Sequence, residues 1–208
     1  NRYLEINPDV KQSIENNQFT DAEQHYKDFG IKENRRVYIR GIKNRVQHVD
    51  RNTFILNQID KKSIGLEIGP SHNPVARKSE GYNIRILDHL SSKDLKNKYQ
   101  NHKDVDISKI ESVDYVWSGE KFNQLIDKKF DYIIACHVLE HTPDMITFIN
   151  NLCSVLKPHG KVFIVLPDKR YCFDYFNQTS SISEIINAHK LSKIKPAPGD
   201  VFQHFLFA

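Results

Sequence analysis

Short apolar runs alternate with segments of helical spacing along the last two thirds of the chain. The apolar runs predict five strands, at residues 63–68, 83–88, 113–117, 130–136 and 161–166. Helices are predicted between them, at residues 92–99, 120–126 and 143–156. Strands that alternate with helices are typical of a parallel sheet with right-handed crossovers. The pattern therefore predicts an α/β fold with an open, mostly parallel sheet and helices on both faces.

The helix at residues 143–156 has the clearest pattern. Thr142 is its predicted N-cap, and Pro143 occupies the first helical position, where a missing N–H costs nothing. Apolar residues from Met145 to Leu156 form one continuous stripe. The tract Lys157-Pro158-His159-Gly160 is predicted to end the helix. No pair of strands is recognisable after Asp174, so we expect either that terminal antiparallel strands are missing from this sequence or that the sheet is short.

The first 30 residues predict a small helical unit. Pro8 marks the start of one helix, and Asn16 and Asn17 interrupt it. Thr20 is expected to open a second helix in the manner of a capping box, with Gly30 as its stop. The polar, basic residues that follow are expected to connect this unit to the core. We therefore predict a helical unit and connector at residues 1–62 and a core domain at residues 63–208.

Composition points to an ordinary globular protein that works in a reducing compartment. The 208 residues are 39% hydrophobic and 27% charged, and no apolar run approaches the roughly 20 residues that span a bilayer. Three scattered cysteines fit reduced thiols, so a cytoplasmic location is expected. The net charge is +4, with a basic excess at residues 32–51. That excess is either a solvated face or a surface for an anionic partner such as nucleic acid.

Candidate chemistry lies at the ends of the first two predicted strands. The first strand carries Glu67 and ends in a turn with a single glycine, Gly69, followed by Pro70 and Ser71. Asp88 closes the second strand. An acid at that place binds ribose hydroxyls in dinucleotide folds, and the alternative is that Asp88 caps a turn or helix.

The fourth strand runs into His137, Glu140 and His141. If a helix begins there, positions i, i+3 and i+4 share one face, and the three side chains converge. Several interpretations stay open: a helix cap with a packed histidine, a divalent metal site, or a metal-free general base at His137 or His141. An inverted zincin motif of a metallopeptidase has the same spacing, but it belongs within a helix rather than after a strand.

As a set, these motifs resemble the class I S-adenosylmethionine-dependent methyltransferases, whose fold is Rossmann-like. The resemblance covers about residues 64–174 and rests most on Cys136-His137-Val138-Leu139-Glu140-His141 and on Val155-Leu156-Lys157-Pro158-His159-Gly160. It implies S-adenosylmethionine as the cofactor. The residues that it implies for the cofactor site are Glu67, Gly69, Pro70, Ser71, Asp88, Ser118, Gly119, Cys136 and His137. The chain departs from the family in its single loop glycine and in Ser118, where the family often has Asp.

The segment after the fourth strand also resembles the Glu-x-x-Glu-His site of metal-dependent O-methyltransferases of ubiquinone biosynthesis and of small-RNA 2′-O-methyltransferases. His137 stands here in place of the first Glu. This likeness implies a divalent metal such as Mn or Mg, bound by His137, Glu140 and His141, with His204 as a downstream ligand. Such a metal lowers the pKa of the acceptor hydroxyl.

Residues 167–171 and the N-terminal unit resemble methyltransferases of surface-polysaccharide biosynthesis. The likeness implies a sugar hydroxyl of a glycan or its precursor as acceptor, and association with glycosyltransferase domains. Asp168 is then a candidate base or sugar ligand, and Lys169 and Arg170 are candidates to hold an anionic group. The alternatives are a non-catalytic module of glycan assembly and an RNA 2′-O-methyltransferase, although nucleic acid is not the expected partner.

Overall fold

The structure is a computed structural model that describes residues 3–4, 7–30, 50–172 and 177–207. The chain divides into two compact units. One unit contains Asn1–Gln47, Pro167–Ser180 and Pro196–Ala208, and the other contains His48–Leu166 and Ser181–Lys195. Across the described residues, no helix is long and apolar enough to cross a membrane.

The second unit is built on a sheet of five parallel strands. Its strands are β1 (Gly65–Ile68), β2 (Ile84–Asp88), β3 (Tyr115–Val116), β4 (Phe130–Cys136) and β5 (Leu156–Val165). Their order in the sheet is β3-β2-β1-β4-β5. The predicted open parallel sheet is confirmed, and within the described residues no antiparallel strand follows β5.

The described helices, numbered in chain order, belong to both units. The first unit has α1 (Pro8–Glu15), α2 (Ala22–His25) with a π-helical continuation at Tyr26–Gly30, and α8 (Pro198–Phe207). The sheet unit has α3 (Arg51–Leu56), α4 (Ser92–Tyr99), α5 (Phe122–Leu125), α6 (Met145–Val155) and α7 (Ile182–Lys190).

Alternating residues of the central strands pack into two apolar clusters, one on each face of the sheet. On β4, Ile133 and Ala135 belong to the cluster that contains residues of α5 and α6, such as Phe122 and Phe148. Tyr132 and Ile134 point the other way, into the cluster that contains Ile55 of α3. Both faces are covered by helices, as the sequence predicts, because strands buried on both sides need apolar partners on both sides.

The units do not divide at the predicted boundary of residues 62 and 63. Because Ile55 is buried against the sheet, α3 belongs to the core unit rather than to a connector. The segment Pro167–Ser180 belongs instead to the N-terminal helical unit. Within that unit, the Tyr26 hydroxyl donates a hydrogen bond of 3.0 Å to the carbonyl oxygen of Arg170.

The predicted start of α6 is wrong by two residues, because a better cap lies further along the chain. Asp144 is the N-cap, and its carboxylate accepts hydrogen bonds from the Thr147 N–H at 2.9 Å and the Thr147 hydroxyl at 2.6 Å. Thr142 donates its hydroxyl to the carbonyl of Leu139 and so closes the preceding 3-10 turn. A carboxylate that accepts two hydrogen bonds is a stronger N-cap than a single threonine hydroxyl, so the helix begins after Asp144.

The tract predicted to terminate α6 is the beginning of β5. This strand already pairs at Leu156, and the register between β4 and β5 shifts between Phe130 and Tyr132. His159 has φ +64° within the inserted stretch. Extra residues opposite a shorter partner are typical of a β-bulge, which absorbs the apparent turn sequence into the strand.

The N-terminal helices follow the predicted pattern with one shift. α1 begins at Pro8, and Asn17 has φ +57° after its last residue, as expected for an interruption. The second helix is capped by Asp21 rather than Thr20, because the Asp21 carboxylate accepts hydrogen bonds from the N–H groups of Glu23 and Gln24.

Candidate functional site

The candidate site lies at the carboxyl edge of the sheet. Strand order reverses direction between β1 and β4, and open α/β sheets bind ligands at such a point. The turn after β1 contacts the segment after β4 closely. A Cβ on Gly69 would lie 3.2 Å from Val138 Cγ2, and Gly69 has φ +60°. Both the approach and the backbone angle favour glycine here, so the one glycine retained in the loop stands where the turn needs it.

Glu67 holds the loop that follows β1. Its carboxylate is buried, with Oε1 accepting the Val75 N–H at 2.7 Å and Oε2 accepting the Ala76 N–H at 3.1 Å. Burial raises the pKa of Glu67 to about 7, although the two amide hydrogen bonds act in the opposite direction. In this structure Glu67 therefore fixes the path of residues 69–76.

Two buried polar atoms in that loop lack a partner. Ser71 Oγ and His72 Nδ1 are both buried, and neither makes a hydrogen bond in the structure. An unsatisfied buried polar group costs about 1–3 kcal/mol, so such atoms call for a partner that the described residues do not provide. A ligand with charged polar ends, such as the amino-acid end of S-adenosylmethionine, fits this requirement.

Asp88 lies beside the same loop, at the end of β2. Its Oδ2 accepts the Ser71 N–H at 3.1 Å, and its Oδ1 accepts both the His89 N–H at 2.7 Å and the His89 ring Nδ1–H at 2.6 Å. The structure therefore brings two predicted residues together, Ser71 and Asp88. His89 is not among the predicted site residues. The only signal for it in the sequence is its position next to Asp88.

The turn after β3 holds Ser118 and Gly119 at the same edge. The Trp117 N–H donates to the carbonyl of Asp88 at 2.9 Å, which ties the ends of β2 and β3 together. The Ser118 N–H donates to Glu120 Oε2 at 2.9 Å, and Gly119 has φ +115° with open space around it. The Trp117 ring packs on Phe122, with 5.3 Å between ring centroids, as an edge of the core.

The segment after β4 forms a single 3-10 turn, Leu139–His141, instead of the helix start on which the convergence argument depends. His137 has φ +55°, and its N–H donates to the carbonyl of Val165 at 2.9 Å. Its Nδ1 lies 3.4 Å from Oε1 of Glu140, so these two side chains do meet. His141 does not join them. Burial raises the pKa of the neighbouring Cys136 to about 11, which keeps it a thiol.

The predicted metal ligands are therefore not assembled as expected. In the part of the chain that the structure describes, no three His, Cys, Asp or Glu side chains are grouped so as to hold a metal ion. The physical reason is the 3-10 turn, since only an α-helical start would place His137, Glu140 and His141 on one face. The side chain of His204 lies outside the described residues.

Asp168 belongs to the other unit, where it caps the 3-10 turn Lys169–Tyr171. Its carboxylate accepts the Arg170 N–H at 3.1 Å and the Arg170 Nε–H at 2.7 Å. The Arg170 side chain lowers the pKa of Asp168. The structure therefore gives Asp168 a local partner, and a carboxylate held in an ion pair is a weak base.

Known proteins that resemble this chain are methyltransferases. Human mitochondrial ubiquinone biosynthesis O-methyltransferase is 30% identical over 108 residues, which is 51% of this chain and 27% of that protein. The chain thus spans about a quarter of the length of this curated relative. Two solved structures with similar folds are the N-methyltransferase NodS from Bradyrhizobium japonicum and a TehB-like methyltransferase from Corynebacterium glutamicum.

NodS is 19% identical, with a TM-score of 0.42 and coverage of 67% of this chain and 79% of its own. The TehB-like protein is 12% identical, with a TM-score of 0.41 and coverage of 72% and 81%. A family model described as a methyltransferase domain matches residues 36–204. That match spans most of the sequence, including all five strands, and the chain therefore belongs to the methyltransferase domain family.

Proposed function

We propose that this chain is the catalytic domain of an S-adenosylmethionine-dependent O-methyltransferase whose acceptor is a sugar hydroxyl of a glycan or glycan precursor. One observation carries the proposal: a chain of the methyltransferase domain family has two unpartnered buried polar atoms, Ser71 Oγ and His72 Nδ1, beside Asp88 at the switch point of its sheet. The two atoms that lack partners therefore lie at the edge of the sheet where α/β folds bind ligands, in a chain of a family that binds one.

Three strand ends provide the proposed cofactor contacts. Asp88 offers a carboxylate to the ribose, and the loop at residues 69–72 faces the amino-acid end. Ser118 and Gly119 are the residues we propose beside the adenine, and a Cβ at Gly119 would meet no atom within 4 Å. The bound cofactor supplies an electrophilic methyl group on a sulfonium, which a nucleophile removes by in-line displacement.

His137 is the residue we propose for proton transfer. Glu140 lies on its Nδ1 side at 3.4 Å, which favours a proton on Nδ1 and leaves Nε2 as the acceptor. With a methyl donor and an acceptor bound, Nε2 of His137 would take the proton of the acceptor hydroxyl and so leave its oxygen free to act as the nucleophile. The carboxylate of Glu140 stabilises the imidazolium that results.

Oxygen as the acceptor atom is supported by the human relative, which is named an O-methyltransferase. The sugar as substrate is supported by the resemblance of residues 167–171 and of the N-terminal unit to polysaccharide methyltransferases. Those two features belong to the same unit, and the Tyr26 hydroxyl bonds to the carbonyl of Arg170 within it. Association with glycosyltransferase domains and a cytoplasmic location belong to the same proposal.

Calorimetric titration with S-adenosylmethionine and S-adenosylhomocysteine, followed by a transfer assay with labelled methyl donor, tests the proposal. We expect micromolar binding and label in sugar acceptors. Transfer to RNA instead of sugars would overturn the acceptor, and absence of binding would favour a non-catalytic module. Metal assistance by Mn or Mg stays a prediction, and the same assay with EDTA and with each ion added back decides it.

The role of His137 is tested by His137→Ala, with His102→Ala as a control at an exposed histidine beyond α4. We expect kcat to fall by roughly 10²- to 10⁴-fold, the usual contribution of a general base, with little change in affinity for S-adenosylhomocysteine. Unchanged kcat would remove His137 from proton transfer. His141→Ala in the same assay shows whether the second imidazole takes that part.

A further inference from the structure

His89 makes two hydrogen bonds to one oxygen of Asp88. Both its backbone N–H and its ring Nδ1–H donate to Oδ1, at 2.7 and 2.6 Å. The Asp88 side chain is only 1% exposed, whereas the His89 side chain is half exposed. The half-exposed imidazole of His89 therefore lies between the buried carboxylate and the solvent.

Lys98 fixes the orientation of that imidazole. Its Nζ, on helix α4, lies 3.1 Å from Nε2 of His89. An ammonium group has only donors, so Nε2 must be the acceptor and Nδ1 must carry the ring proton. The chain Lys98–His89–Asp88 thus has one consistent direction of donation, and it ends on Oδ1.

Counting acceptor positions shows what remains for a ligand. A carboxylate has about four lone-pair positions, two on each oxygen. His89 occupies both positions on Oδ1, and the Ser71 N–H occupies one on Oδ2. One position, on Oδ2, is left. In this arrangement Asp88 therefore has a position for one further donor, not for two.

We propose that His89, anchored by Lys98, is a positioning residue that holds Asp88 so that Oδ2 accepts a single ribose hydroxyl of the cofactor. The inference rests on the proposed function, since it assumes a ribose at Asp88. It differs from the alternative in which His89 merely fills the place of the second hydroxyl and leaves on binding. The two have opposite consequences: loss of a positioning residue weakens binding, and loss of a displaced occupant strengthens it.

The test measures the Kd for S-adenosylhomocysteine by calorimetry in the wild type, His89→Ala, His89→Asn and Lys98→Met. Lys96→Met is the matched control, because Lys96 is an exposed lysine on the same helix. We expect His89→Ala to weaken binding roughly 5- to 20-fold, in the range of one or two hydrogen bonds. Asn keeps an N–H donor near the place of Nδ1 and should restore affinity to within about threefold. The Kd of Lys98→Met should lie between that of the wild type and that of His89→Ala.

The 2′-deoxy and 3′-deoxy analogues of S-adenosylhomocysteine separate positioning from a general structural effect. The wild type should lose affinity for one analogue and bind the other almost normally, and His89→Ala should discriminate less between them. Equal loss for both analogues in the wild type would overturn the single-hydroxyl arrangement.

Equal or tighter binding of the parent ligand by His89→Ala would overturn the positioning role. If the wild type binds S-adenosylhomocysteine and the variants behave as it does, only this inference fails. If the wild type does not bind, the proposed function fails with it.

Discussion

Glu67 is an acid whose ionisation is unfavourable in the folded state. It is 2% exposed, and its carboxylate accepts hydrogen bonds from the N–H groups of Val75 and Ala76. Desolvation outweighs those two bonds and raises its pKa from an ordinary 4.5 to about 7. The residue that fixes the path of residues 69–76 thus titrates near neutral pH, and its effect on stability can be measured.

The sign of that effect follows from the direction of the shift. Below pH 4.5 both folded and unfolded states hold the proton, so Glu67 adds no pH dependence there. Between 4.5 and about 7 the unfolded state loses the proton first, so stability falls as pH rises. At about 1.4 kcal/mol per pH unit over roughly 2.5 units, the loss is about 3 to 4 kcal/mol above pH 7.

Urea unfolding of the wild type and Glu67→Gln from pH 4 to pH 8 measures this loss. The difference in unfolding free energy between the two proteins cancels the other titrating groups. We expect the unfolding free energy of the wild type, relative to that of the variant, to fall between pH 4.5 and about 7 and to stay constant at higher pH. Parallel curves for the two proteins would show that Glu67 keeps an ordinary pKa.

At the scale of elements, the pairing of β1 with β4 depends on one glycine. Gly65 lies opposite Tyr132 in the register, and a Cβ on Gly65 would come within 2.2 Å of the Tyr132 ring. The ring is 2% exposed and belongs to the cluster that contains Ile55 of α3, so a shift of the ring would disturb that packing. A strand in the middle of the sheet therefore contains a position that admits no side chain.

We expect Gly65→Ala to destabilise the protein by about 3 kcal/mol or more, the upper part of the range for overpacking. Gly199→Ala is the control, because a Cβ there meets nothing within 4 Å and the helix α8 gains a better helix former. Thermal unfolding of both variants measures the contrast. A Gly65→Ala protein as stable as the control would mean that the β1–β4 pair can shift to accept a methyl group.

Elements with a local cause were predictable, and those that depend on competing partners were not. Strand β4 and helix α4 have the predicted bounds, because an apolar run and a serine cap define them locally. The start of α6 was not predictable in detail, because Thr142 and Asp144 are both good caps and only hydrogen-bond geometry chooses between them. The bulge that lengthens β5 depends on its pairing with β4, which no local pattern contains.

The same distinction applies to the candidate site. Gly69 and Asp88 follow from the chemistry of turns at strand ends, and the structure places both at the predicted edge. The Lys98–His89–Asp88 chain depends on where α4 packs, so the sequence contains no periodic signal for it. The expected grouping of His137, Glu140 and His141 failed because it assumed a helix where the chain makes a 3-10 turn.

At the scale of the whole molecule, the division into two units assigns the proposed cofactor contacts to one of them. Gly69, Ser71, Asp88 and Ser118 all belong to the unit His48–Leu166 and Ser181–Lys195. Helices α1 and α2 belong to the other unit. A ligand that binds only the native state of the sheet unit should stabilise it by about 2.7 kcal/mol at 100 times its Kd.

Hydrogen exchange with and without S-adenosylhomocysteine tests that assignment, because amides that exchange through unfolding of the stabilised unit should slow by up to roughly 100-fold. We expect the strongest protection at residues 69–76, 88–89 and 117–119, because the proposed cofactor contacts lie on these segments. Peptides from α1 are the internal control and should change least, since nothing in the proposed cofactor site comes from them. Protection centred on α1 and α2 instead would place the nucleoside in the N-terminal unit and contradict the site at the sheet edge.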